Sequence, residues 1–231
     1  MLAYTHGNNT SQEVNLAEQL FTQKVKIAEE PGVRVVVADD NPGVRSGIRR
    51  LLLASGGVNV VGEAENGEQA LRQVEELNPD VLLLDLEMPI LNGHQVAAVL
   101  QRRHTRVKTL VVSAHADRQY ILSVFGNGIA GYIVKEDVPG LLVSAVLCIA
   151  KGDSSWISPS VAEKLVLHSP RVEDARDLTE REQEILRLVQ SGLDDEQISD
   201  RLKLERGIVA QNVIMILAKL RIRSRWELCL S

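Results

Sequence analysis

The chain has 231 residues, 45% of them apolar and 25% charged, enough to give each of two ordinary domains a buried core. Aromatics make up only 3%, so those cores are aliphatic, and the net charge of −5 excludes a chain that is basic throughout; nucleic-acid binding needs a local positive patch. No apolar run approaches the roughly 18 residues of a membrane span, and Met1 to Thr10 carry no signal-peptide core, so a cytoplasmic protein with no membrane contact is expected.

Residues 1–32 read as an extension, in which Leu16, Leu20, Phe21, Val25, Ile27 and Ala28 make one helical stripe between Asn15 and Glu30. From residue 33 the pattern alternates. Strands are expected at Val33–Ala38, Val58–Gly62, Val81–Leu84, Thr109–Val112 and Tyr132–Val134. Helices are expected at Pro42–Ser55, Gly67–Leu77, Gly93–Arg103, Asp117–Phe125 and Val138–Ala150. Apolar runs without alternation mark strands buried on both faces, and helical crossovers imply a parallel sheet. Residues 33–150 are therefore a doubly wound α/β domain with five parallel strands. Residues 151–177 read as a linker with a short helix at Pro159–Leu167. Residues 178–231 read as a small all-α domain: Thr179 and Glu182 form a capping box, and further helices follow at Asp195–Leu202, Ile208–Leu220 and Trp226–Leu230. Cys148 and Cys229 stand far apart and form no metal motif, so free thiols are expected.

The chemistry-bearing residues fall at strand ends. Asp39 and Asp40 follow the first strand, Asp85 the third, Ser113 the fourth and Lys135 the fifth. In a parallel sheet those ends share one edge. Three carboxylates brought together repel one another, and a hard divalent ion such as Mg²⁺, which prefers oxygen ligands, relieves that repulsion. A carboxylate beside such an ion can attack a phosphoryl group while a lysine offsets the developing charge. His115, two residues after Ser113, reads as a solvated histidine near the pocket mouth.

The motifs V-V-V-A-D-D (35–40), L-L-D-L-E-M-P-I-L-N-G (83–93), V-V-S-A (111–114) and G-Y-I-V-K (131–135) resemble the receiver domain of two-component response regulators. The resemblance implies a flavodoxin-like fold and a sensor histidine kinase as partner. It implies Asp85 as phospho-acceptor, and Asp40, Asp85 and the Glu87 backbone carbonyl as Mg²⁺ ligands with Asp39 assisting. Ser113 would be the switch hydroxyl, Tyr132 the switch aromatic and Lys135 the phosphate-contacting amine. Beyond this self-phosphorylation chemistry the chain is not expected to be an enzyme. Glu136 follows Lys135 where many receivers carry proline.

Residues 178–231 resemble the LuxR-type helix-turn-helix domain of the NarL/FixJ response regulators, through L-T-E-R-E-Q-E-I-L-R-L-V (178–189), G-L-D-D-E-Q-I-S-D-R-L (192–202) and I-L-A-K-L-R-I-R-S-R (216–225). That resemblance implies DNA as a partner, the third helix in the major groove, and a homodimer on activation. Gln211 and Asn212 are the candidate base readers, and Arg206, Lys219, Arg221, Arg223 and Arg225 the candidate phosphate contacts. One departure falls where DNA is read: Ala210 stands in place of the usual lysine, and Gly207 to Leu217 carries no charge. Residues 171–231 hold eleven basic and twelve acidic side chains, an unusual balance for a DNA-binding domain. Two readings stay open on the sequence. One is a DNA-binding transcriptional regulator, which the resemblance puts first. The other is an output domain that meets another protein through the apolar third helix, with Ile208, Ile214 and Met215.

Overall fold

Strand β1 (Val33–Ala38) is apolar at five of its six positions, and its last four side chains are buried. The structure is a computed structural model that describes residues 32–103, 105–115, 117–167 and 177–229. The expected helix between Asn15 and Glu30 lies outside the described residues. Helix α1 (Pro42–Ala54) begins where Asn41 accepts from the amides of Gly43 and Val44, with Pro42 in the first turn where its missing donor is harmless. Strand β2 (Val58–Ala64), helix α2 (Gly67–Leu77), strand β3 (Val81–Leu84), helix α3 (Gly93–Arg102), strand β4 (Lys108–Ser113), helix α4 (Arg118–Gly126), strand β5 (Gly131–Val134) and helix α5 (Val138–Ala150) follow.

All strand pairs are parallel, in the order β2-β1-β3-β4-β5, and a sixth strand, β6 (Trp156–Ile157), lies beyond β5. The expectation of a five-stranded sheet is corrected by this strand, which comes from the segment read as linker. Two residues are too few for periodicity to register; β6 is instead set by pairing Gly131 with Trp156 and Tyr132 with Ile157. The sheet separates two cores. Val35, Val37 and Leu83 face α1 and α5, whereas Val36, Leu82 and Leu84 face α2, α3 and α4. The chain thus leaves β1 toward one face and β3 toward the other, and the crevice between those neighbouring strand ends is where doubly wound sheets place their ligands.

After helix α6 (Pro159–Leu167) come helices α7 (Glu180–Gln190), α8 (Asp195–Leu202), α9 (Arg206–Leu220) and α10 (Arg225–Leu228). Capping boxes at Thr179/Glu182 and Asp194/Gln197 fix the starts of α7 and α8. Helix α9 starts at Arg206, two residues before the position expected from its apolar run, with Glu205 at the cap position and no side-chain cap bond. The core of these helices, including Ile185, Ile198, Val213 and Ile216, is continuous with the α2–α4 side of the sheet. Among the described residues, no helix is long and apolar enough to cross a membrane.

Candidate phosphoryl-transfer site and output helix

The ligand oxygens of Asp39, Asp40 and Asp85 all lie within 4.8 Å of one another. Asp39 and Asp85 are buried, and Asp40 is exposed. The backbone sets this convergence. The Asp39 amide donates to the Ala64 carbonyl and the Asp85 amide to the Ala38 carbonyl, which locks the ends of β1 and β3 side by side. The Asp39 carboxylate accepts from the Asn41 amide at 2.9 Å, and its carbonyl accepts from Arg45 at 2.6 Å. Gly93 lets α3 begin directly over β3: a Cβ there would lie 2.3 Å from the Asp85 carbonyl oxygen.

Lys135 Nζ sits 2.8 Å from Asp39 Oδ2 and 2.9 Å from Asp85 Oδ2. Burial raises the Asp85 pKa, the Lys135 ammonium opposes that rise, and the Asp39 charge adds to it. Burial alone would pull the Lys135 pKa down, but the two carboxylates outweigh it and hold the ammonium above its ordinary value. One lysine thus touches two of the three carboxylates but offsets only one of their three negative charges. The oxygen-only donor set suits Mg²⁺, which binds few protein oxygens and supplies the positive charge that a single lysine leaves short.

Ser113 is fully buried at the end of β4, and its Oγ accepts from the His115 amide at 3.1 Å. Tyr132 is fully buried with its hydroxyl donating to the His115 carbonyl at 2.6 Å. Burial, chiefly, with the nearby Asp85 charge, pushes the Tyr132 phenol up to about 12, so it stays a donor. His115 keeps a solvated side chain, 44% exposed, as the sequence suggests, and in addition has an ionisable partner. Its Nε2 meets Glu87 Oε1 at 2.8 Å, across the pocket mouth. Arg45 and the Glu87–His115 pair are the two features that sequence reasoning missed. Arg45, in the first turn of α1, donates to the Asp39 carbonyl and pairs with Glu63 of β2, a long-range pairing with no signal in the local pattern.

The output helix is placed unexpectedly. Helix α9 packs along α4 of the α/β domain as well as on α6, α7 and α8. Val209, Val213, Ile214, Ile216 and Leu217 are fully buried, and Met215 and Ala210 nearly so. Gln211 Nε2 donates to the Leu122 carbonyl at 3.0 Å, and Arg118 reaches Met215 Sδ at 3.7 Å. Gly207 permits the crossing, since a Cβ there would lie 3.0 Å from the Gly126 carbonyl oxygen.

Of the side chains expected to meet DNA, Arg206, Arg221 and Arg223 are exposed. Asn212 donates to the Ile208 carbonyl one turn earlier on α9, at 2.7 Å. Lys219 and Arg225 depart from the expectation of free surface cations. The Lys219 side chain is 6% exposed and its Nζ lies 2.7 Å from Glu182 Oε2, and Arg225 pairs with Asp195 and donates to the Leu193 carbonyl. Two of the acidic residues at the start of α8 are thereby explained: Asp194 caps the helix and Asp195 holds Arg225.

Residues 35–147 match the response regulator receiver domain, and residues 176–231 match the luxR family of bacterial regulatory proteins. The transcriptional regulatory protein DegU of Brevibacillus brevis is 33% identical over 79% of this chain and 85% of its own length. The nitrate/nitrite response regulator NarL of Escherichia coli is 32% identical over 80% and 87%. The Salmonella typhimurium response regulator RcsB, in a structure concerned with DNA interaction, superposes with a TM-score of 0.56 at 25% identity, over 87% of this chain and 97% of that one. The sheet, its acidic crevice and the helical tail define a response regulator. The chain belongs to the NarL/FixJ family of these regulators, with a receiver domain followed by a LuxR-type helix-turn-helix domain.

Proposed function

We propose that the chain is phosphorylated on Asp85 by a sensor histidine kinase and, through its helix-turn-helix domain, controls transcription at DNA. The observation that carries the reading is the convergence of Asp39, Asp40 and Asp85 with Lys135 at one strand-end crevice. Asp39, Asp40, Asp85 and the Glu87 carbonyl would hold Mg²⁺, which screens negative charge on the phosphoryl oxygens when bound. An Asp85 oxygen attacks phosphorus, the bond from phosphorus to the kinase imidazole nitrogen breaks, and that nitrogen keeps the electron pair. Lys135 exchanges its carboxylate contact for a phosphoryl oxygen. Phosphorylation adds nearly two negative charges, and Ser113 turns its hydroxyl toward them. Tyr132 stands beside Ser113 and shares its link to the 113–115 turn, so the change at Ser113 is passed to the face of the receiver that carries α4.

The domain division follows the same reading: residues 33–150 receive the signal, 151–177 connect, and 178–231 deliver it. The relatives' names as transcriptional regulators and RcsB's interaction with DNA support a DNA-binding output. The charge-free stretch of α9 does not require a foreign protein, because its apolar side chains already meet α4 and the helical core. Gln211 is engaged by the receiver backbone, so reading bases requires α9 to leave α4. Pairing with a second copy on activation belongs to the same reading.

The test is incubation with acetyl phosphate and Mg²⁺ followed by intact-mass measurement. An adduct on the native chain that disappears in Asp85→Asn is expected. No adduct, or one that persists in Asp85→Asn, overturns the assignment. For the output, a gel shift against genomic fragments with phosphorylated protein should weaken as salt rises. A flat salt response or no shift removes DNA as the partner.

A further inference from the structure

One strongly charged segment of the receiver takes no part in the phosphoryl chemistry. In a chain of net charge −5, residues 88–116 contain no Asp or Glu, and their four Lys or Arg residues are Arg102, Arg103, Arg106 and Lys108. All four are exposed. They run from the last turn of α3 to the first residue of β4. That is the edge of the parallel sheet opposite the phosphoryl crevice, which lies at the other ends of the strands. Arg103 pairs with Glu75. Asp80, whose carbonyl accepts from the Lys108 amide, gives its carboxylate to the Arg34 amide. Arg102, Arg106 and Lys108 have no side-chain hydrogen bond or ion pair among the described residues, so four cations less one paired leaves three open to solvent.

The output domain brings a fourth cation to the same edge. Gln101, one residue before Arg102, donates to the Gly126 carbonyl at 3.3 Å. Gly207, one residue after Arg206, abuts that same carbonyl oxygen, 3.0 Å from where its Cβ would stand. Arg102 and Arg206 are thus immediate neighbours of two residues that meet at one oxygen, one from each domain. Arg206 is exposed at the start of α9, with Glu205 as its acidic neighbour. The band of four cations is assembled by the packing of α9 along α4.

We propose that Arg102, Arg106 and Lys108 of the receiver, with Arg206 of the output domain, form a surface that binds the phosphate backbone of duplex DNA without regard to sequence. This goes beyond the regulated reading, in which α9 leaves α4 to reach bases, because the band exists while α9 is still in place. Duplex DNA carries one negative charge per about 1.7 Å of its axis, and neutralising those phosphates supplies non-specific affinity. Residues 171–231 hold more acidic than basic side chains, so the output domain alone is short of such contacts, and the receiver edge provides them. Single strands are held by aromatic stacking platforms and lipid surfaces by inserted apolar side chains. None of the four residues lies beside an exposed aromatic of its own segment, and residues 102–108 expose no large apolar side chain among those described. The duplex backbone, which asks only for charge along a line, is the polyanion that fits.

The experiment is fluorescence anisotropy of a labelled duplex of arbitrary sequence, titrated with the full, unphosphorylated chain between about 50 and 200 mM salt. The logarithm of the binding constant should fall against the logarithm of salt with a slope of about −3 to −4, each of four phosphate contacts contributing about 0.9. Changing Arg102, Arg106 and Lys108 together to Gln should flatten the slope by about 2.5–3, and Arg206→Gln alone by about one. Arg102→Gln alone, also worth about one, carries the readout if the triple variant does not fold. Arg49→Gln, on α1 at the other face of the sheet, should leave the slope unchanged, and Asp85→Asn should bind the duplex as the native chain does. A failure here is therefore separate from a failure of phosphorylation at Asp85 or of DNA binding by the phosphorylated chain. A native slope near zero, or a slope that the triple variant does not change, overturns the proposal. Tighter binding to a single strand of the same length, or to vesicles of phosphatidylglycerol and phosphatidylcholine, overturns the assignment to duplex DNA.

Discussion

The acidic crevice and the α4–α9 seam lie in one compact unit but are built from opposite materials. The crevice concentrates charge: three carboxylates at the ends of β1 and β3 meet one lysine from the end of β5. The seam concentrates apolar surface and close backbone approach, with one hydrogen bond from Gln211 and a guanidinium–sulfur contact from Arg118. A site that must gain and lose charge cannot rest in a deep electrostatic minimum, and the unbalanced crevice suits that need. A contact that must hold and then separate is better made of burial, whose strength scales with area and does not depend on one partner.

The largest effect should come from breaking the crevice alone. Lys135→Ala should slow phosphorylation by acetyl phosphate by about 10²–10³-fold, the loss typical of one preorganised charge-stabilising donor. Time-resolved intact mass measures this, and a rate within about twofold of native would remove Lys135 from the chemistry. The seam should respond to crowding. Gly207→Val places a branched side chain against the Gly126 carbonyl and should lower stability to urea by about 1–3 kcal/mol. An unchanged midpoint would mean that α9 does not approach α4 so closely. Gln211→Ala removes one hydrogen bond across the seam and should lower stability by about 1 kcal/mol, while leaving the rate of phosphorylation untouched.

The smallest effect is a pH dependence at Asp153. Burial raises its pKa above the ordinary 3.8 in the folded chain, so folding favours its protonated form. The burial penalty is fully present at neutral pH and is relieved as pH falls through the raised folded value toward 3.8. The native chain should therefore gain stability relative to Asp153→Asn across the window just above 3.8, read as the gap between urea midpoints. A gap that stays constant or moves the other way would show that burial is not the dominant influence on this carboxylate.

The strand-end residues were legible because non-alternating apolar runs separated by period-3.6 segments fix a parallel sheet, and a parallel sheet places the ends of its strands together. Asp39, Asp85 and Lys135 needed only that topology. The partners of α9 were not legible, because hydrophobic pattern says that a face is buried without saying against what. From the sequence Ile214 and Met215 read as a face that meets another protein; that α9 packs on α4 of the same chain is visible only in the fold. Lys219 and Arg225 were misread for a related reason: a basic residue near a helix end counts as a surface cation until Glu182 and Asp195 are found beside it. Strand β6 was missed because a strand of two residues has no pattern, and its partners lie on other segments of the chain.

The outer edge of β6 has a consequence for solubility. An unpaired sheet edge is a template on which foreign strands can add. Here the edge is two residues long and is occupied by the chain's own residues 223 and 224. The output domain thus shields the receiver from edge-to-edge association for as long as the two remain together, and the brevity of β6 limits what is bared when they part.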